Sequence, residues 1–112
     1  MSHPRVIAIV AALSAVCAAA NALARQPAGE AQAAKNKIAV CEGCHGIAGY
    51  RTAFPVVYHV PKLGGQQAAY LVKALEAYKS GERKHPSMRG IAASLTEQDM
   101  ADLAAYYSGK TK

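Results

Sequence analysis

The stretch Cys41-Glu42-Gly43-Cys44-His45-Gly46, "CEGCHG", sets two cysteines three apart and places a histidine directly after the second. Three chemistries share this pattern: a redox dithiol, half of a zinc site, or a covalent anchor for haem. Each implies a different fold around it. A thioredoxin-like dithiol needs a strand before it in a βαβ unit. A zinc site needs four ligands, and beyond His45 only His59, His85 or a carboxylate are on offer, in no recognised spacing. A plain disulfide leaves the adjoining histidine without a purpose.

The haem reading uses every residue of the motif. Two thiols add across two vinyl groups of the porphyrin, and a separation of three lets one helical turn present both sulfurs to one ring edge. The next residue, His45, then lies where it can bind the iron. Cys-x-x-Cys-His is the attachment signature of c-type haem. Cys41 and Cys44 are thus the candidate thioether residues and His45 the candidate axial ligand.

Upstream of the motif the chain has a different character. Met1 to Arg5 carries positive charge, and Val6 to Ala20 is apolar apart from Ser14. Ala22-Leu23-Ala24 then supplies small residues at the spacing of a cleavage site. Residues 1–24 read as a secretory signal peptide. Their apolar run falls short of the ~20 residues that span a bilayer. Residues 25–112 form the mature domain, in an oxidising compartment, the periplasm of a bacterium. No stable membrane insertion is expected once the signal is removed.

The mature part has 88 residues and two cysteines. A domain of that size buries little surface and often needs a staple, and a large apolar cofactor would serve. The whole chain carries 13 Lys and Arg against 7 Asp and Glu. Loss of Arg5 with the signal leaves a net charge of +5. The basic residues form no run, which points to acidic protein partners or an anionic surface and not to nucleic acid.

Residues 30–40, "EAQAAKNKIAV", have helical composition, with Ala31, Ala34, Ile38 and Cys41 on one face. Residues 66–80 form the clearest helix: Tyr70, Leu71, Ala74, Leu75 and Tyr78 make a stripe, and Gly81 ends it. The last helix starts at Thr96, an N-cap followed by acidic Glu97 and Asp99, and runs to about Ser108. Residues 46–65 and 82–95 read as long loops, the second with a short turn at Arg89 to Ala93. A loop of about twenty residues is unusual in a small domain unless it wraps something. No segment shows strand alternation. The chain reads as all-α, three main helices with two long loops.

With "CEGCHG", "PKLGGQQAAYLVKALEAYKSGER" and "PSMRGIAASLTEQDMADLAAYY" in view, residues 30–109 resemble the class I c-type cytochromes, of the small bacterial c-553/c-4 kind. The resemblance implies a cytochrome c fold around one covalently bound haem c, and one-electron transfer without substrate turnover. It implies a second axial ligand, a methionine, whose thioether raises the reduction potential. Met88, in "HPSMRG", matches the family's methionine motif. Met100 lies inside the last helix, three before Leu103, where a methionine is ordinary packing. His85 is a rival ligand, with a solvated loop histidine as its alternative. Pro61 matches the family's proline, whose carbonyl is expected to accept from the His45 ring N–H.

Arg51 is the candidate propionate partner in the first loop, with a solvated arginine as the alternative. Most of the six tyrosines are expected to pack around the haem or between helices. Lys62, Lys73, Lys79, Arg83, Lys84 and Arg89 would steer acidic redox partners if they ring the haem edge. The function that follows is a periplasmic electron carrier of a respiratory or dehydrogenase chain, a monomer or weak oligomer. The alternatives are a haem subunit of a larger periplasmic oxidoreductase, or a gas- or peroxide-binding haem protein with a displaceable sixth ligand. The stretch "GYRTAFPVVYHV" is longer than the family's usual link, and what it covers is open.

Overall fold

The computed structural model describes residues 26–54 and 57–110. The signal peptide expected over residues 1–24 lies outside them. Five helices and one short hairpin make up the described chain. In order they are α1 (Ala31–Ala34), α2 (Ala39–His45), β1 (Arg51–Thr52), β2 (Tyr58–His59), α3 (Ala68–Ser80), α4 (Pro86–Ala93) and α5 (Glu97–Ser108).

The helix expected over 30–40 is two helices. A turn at 35–38 separates them, and α2 carries the cysteine motif through to His45 before Gly46 caps it. Asn36 lies in that turn, and asparagine is a poor helix former because its short polar side chain competes with helical backbone bonds. The loop expected over 46–65 holds the β1–β2 hairpin, which pairs Arg51 with His59 and Thr52 with Tyr58. Two-residue strands are too short to show alternation in sequence. The loop expected over 82–95 holds α4, so Met88 sits in the first turn of a helix and not on a loop. Pro86 occupies the first turn, where a proline's missing N–H does no harm.

The other helix limits follow their signals. Gly81 ends α3 in the left-handed region, at φ 85°, a conformation that glycine adopts without steric penalty. Thr96 and Asp99 form a reciprocal capping box at the start of α5.

Helix α5 is the hub, packing against α1 and α3, while α3 also packs against α4. The core gathers Ala34, Leu71, Val72, Leu103, Ala104 and Tyr107. Met100 is fully buried in α5, as its packing role requires. Gly29 lies so close to α5 that a Cβ there would stand 2.0 Å from the Ala101 carbonyl oxygen. Beside it, Asp102 is buried, and its Oδ1 accepts the Glu30 amide and the Gln98 side-chain amide, both at 2.9 Å. Lys37 bridges Asp102 and Asp99. This polar knot holds the start of the domain against its last helix.

Candidate functional site

Most of the apolar stripe of α3 faces away from the core, and only Leu71 belongs to both the core and the cleft. Tyr70, Leu71, Ala74, Leu75 and Tyr78 line a cleft of about 280 Å3 between α2, α3, α4 and the hairpin. Helix α2 contributes Val40, Cys41, Cys44 and His45, and the hairpin with the chain after it contributes Thr52, Tyr58, Val60, Pro61 and Lys62. From α4 come Met88 and Ile91. The walls are mostly aliphatic and aromatic, as expected of a site for a large apolar group.

Cys41 and Cys44 are both free thiols, half-buried, on the cleft wall. One helical turn carries both, because residues three apart share a helix face. Burial pushes the Cys41 thiol up from its ordinary pKa. Among the described residues no group of three or more His, Cys, Asp or Glu side chains could hold a metal ion. The zinc reading therefore lacks a ligand set there. The dithiol reading lacks its strand, since the motif lies within a helix that follows another helix.

His45 Nδ1 lies 2.7 Å from the Pro61 carbonyl oxygen. A carbonyl can only accept, so Nδ1 carries the proton and the other ring nitrogen, Nε2, is left with a free lone pair. The bond also holds the ring in place, the usual support for a metal-binding histidine. A second cleft, of about 240 Å3, adjoins the far side of the motif between His45, Glu42, Lys62 and Lys110. There the Tyr107 hydroxyl donates to Glu42 Oε1, and Lys110 pairs with the same oxygen.

Of the residues singled out from sequence, Cys41, Cys44, His45, Pro61 and Met88 meet in the one cleft. Arg51 does not join them: it is exposed on β1, opposite His59, and is not a cleft-lining residue. Arg83 lines the cleft instead. Its guanidinium lies 4.7 Å from the Tyr78 ring centre and donates to the Tyr70 hydroxyl at 3.5 Å. Three tyrosines, Tyr58, Tyr70 and Tyr78, line the cleft, while Tyr106 and Tyr107 stack edge-to-face at 5.1 Å on α5. His85 also lines it, beside Met88. Nothing in the sequence distinguished Arg83 from its basic neighbours, because its place depends on how the α3–α4 connection folds back.

Two free thiols and a supported imidazole on one helix, open to one apolar cleft, fit a covalently held haem. That is the class of protein the fold and site define. Comparison with known proteins agrees. The family model "Cytochrome c" matches residues 28–108. Cytochrome c-554(548) of Halomonas halodenitrificans is 42% identical over 86 residues, which are 74% of this chain and 99% of that protein. Cytochrome c4 of Pseudomonas aeruginosa is 41% identical over 83 residues, 74% of this chain but 39% of that one. The solved structure of reduced recombinant cytochrome c4 from Pseudomonas stutzeri matches with a TM-score of 0.61 at 39% identity, covering 75% of this chain and 47% of the other. The chain thus spans less than half of these cytochrome c4 proteins and nearly all of cytochrome c-554(548).

The chain belongs to the cytochrome c family. It is an electron-transfer protein of the c4 type and not an enzyme, and its cofactor is covalently bound haem c. The chain holds one attachment motif, and so one haem.

Proposed function

We propose that this chain is a periplasmic one-electron carrier in which Cys41 and Cys44 hold the haem and His45 and Met88 are the axial ligands. The haem supplies an iron that alternates between ferric and ferrous. Everything else falls to the chain. The Pro61 carbonyl orients His45, Met88 offers a thioether from α4, and the aliphatic and tyrosine walls keep water away. Two retained ligands limit rearrangement on electron transfer and suppress binding of small molecules, which sets a carrier apart from a gas or peroxide site.

The observation that carries this reading is the 2.7 Å bond from His45 Nδ1 to the Pro61 carbonyl. It leaves Nε2 free in a cleft that Met88 also lines. Export rests on residues 1–24, whose charged start, apolar middle and small-residue exit match a secretory signal. Among the described residues no helix is long and apolar enough to cross a membrane.

Redox partners with acidic docking surfaces suit the charge pattern. From Gly43 to Leu75 the chain has no carboxylate, while Arg51, Lys62 and Lys73 are cationic. Lys62 and Arg83 lie at the cleft itself. Such a surface speeds encounter with an acidic partner.

The test is the visible spectrum of the oxidised, haem-loaded protein beside Met88→Ala. A weak far-red sulfur-to-iron band in wild type, lost in the variant, is expected. A wild type that binds haem without that band, and takes up carbon monoxide when reduced, would sink the His45/Met88 assignment.

A further inference from the structure

Met88 is the third residue of α4, and the residue before that helix is His85. Its backbone is extended, at φ −145° and ψ 108°, and its ring Nδ1 accepts the Met88 N–H at 3.4 Å. This is the N-cap position, where a side chain satisfies an amide that the helix leaves without a partner. Histidine is not among the usual capping residues, which are Ser, Thr, Asp and Asn. Here the ring is held by its surroundings. Tyr58 of the hairpin meets it edge-on at 5.5 Å, and Tyr78 of α3 does so at 6.4 Å. Three elements thus converge on one imidazole, and that imidazole holds the amide of the candidate ligand.

We propose that His85 is a positioning residue for Met88. By capping α4 at the Met88 amide, it fixes the register at which the thioether enters the cleft. The hairpin, through Tyr58, buttresses the cap, which gives the unusually long 47–60 stretch a task. The same bond bears on His85 as a rival ligand. With Nδ1 accepting, a neutral ring carries its proton on Nε2, so neither nitrogen has a free lone pair for iron. The inference rests on the His45/Met88 reading.

The experiment compares wild type with His85→Ala and His85→Ser in the oxidised, haem-loaded protein. Both variants remove the ring and are nearly equal in size, but only serine can cap. Imidazole is titrated in, and its displacement of Met88 is followed by loss of the far-red band. At the usual strength of an N-cap, about a factor of five in equilibrium, His85→Ala is expected to bind imidazole about fivefold more tightly than His85→Ser. Hydrogen exchange at the Met88 amide in the ferrous protein is expected to speed up by a similar factor. Should His85→Ala fail to accumulate, His85→Leu fills the space between the tyrosines without offering an acceptor and replaces it.

Equal imidazole affinities and equal exchange in the capping and non-capping variants would overturn the proposal. A wild type that lacks the far-red band would instead overturn the axial assignment, and this inference with it. A band in wild type with no difference among the variants removes the His85 role alone.

Discussion

The Tyr107 hydroxyl donates to Glu42 Oε1 at 3.0 Å, tying the last helix to the residue after the first motif cysteine across 65 positions of chain. Tyr107 is buried, and burial together with the Glu42 contact holds its phenol well above the ordinary tyrosine pKa. The attachment segment is therefore braced by α5, while Cys41 and Cys44 line the cleft.

Tyr107→Phe keeps the ring and removes this bond. Glu42 retains Lys110 at 3.4 Å, so the loss is expected to be about 1.5 kcal/mol, the low end for a hydrogen bond to a charged acceptor. Urea unfolding of the haem-loaded variant should show a lower midpoint with an unchanged slope. An unaltered midpoint would mean that the bond adds nothing to stability.

Acid should loosen the knot between α1 and α5. The Lys37 ammonium, with the Thr96 amide and hydroxyl, lowers the Asp99 pKa from 3.8 to about 2. Asp102 is lowered as well, chiefly by the Glu30 amide and then by Gln98. A carboxyl whose folded pKa is depressed adds stability above its unfolded value and loses it as pH falls through the folded one. The melting temperature should therefore drop between about pH 4 and pH 2, and Asp99→Asn should flatten part of that drop. An identical acid limb in wild type and Asp99→Asn would refute the assignment.

Packing at the hub is tight enough to be felt. Leu103 is 3% exposed in the core formed with Leu71 and Val72. Leu103→Ala is expected to cost about 2–5 kcal/mol, a large part of the stability of a small domain. Gly29→Ala acts by crowding, since its Cβ would meet the Ala101 carbonyl. Overpacking of this kind costs about 1–3 kcal/mol, and the Glu30–Asp102 bond should loosen with it. Denaturant midpoints measure both, and exchange of the Glu30 amide reports the second.

Charge at the cleft is open to a direct probe. On gold coated with carboxylate-terminated thiols, the haem-loaded protein should adsorb and exchange electrons at low salt, then release as ionic strength rises. The pair Lys62→Gln and Arg83→Gln should bind more weakly and show a shallower salt dependence. Equal binding by wild type and the double variant would place the docking charge elsewhere.

The contiguous features of this protein were legible in its sequence. The motif "CEGCHG" names its own chemistry, because both thiols and the imidazole must lie within one helical turn. The stripe on α3, its Gly81 stop and the Thr96 start of α5 are local matters of period and capping, settled by residues a few positions apart. Helix α4 was hidden because Pro86 and Gly90 lower helix propensity along residues 82–95, although proline in a first turn is harmless. The break between α1 and α2 and the β1–β2 hairpin were hidden too, since segments this short carry little periodic signal of their own. Tertiary structure alone decided that most of the α3 stripe faces a cleft, with Leu71 shared with the core, that Arg83 lines that cleft while Arg51 stays outside, and that His85 meets Tyr58. These relationships join residues many positions apart, so they depend on how helices pack around α5 and not on the preferences of neighbouring residues.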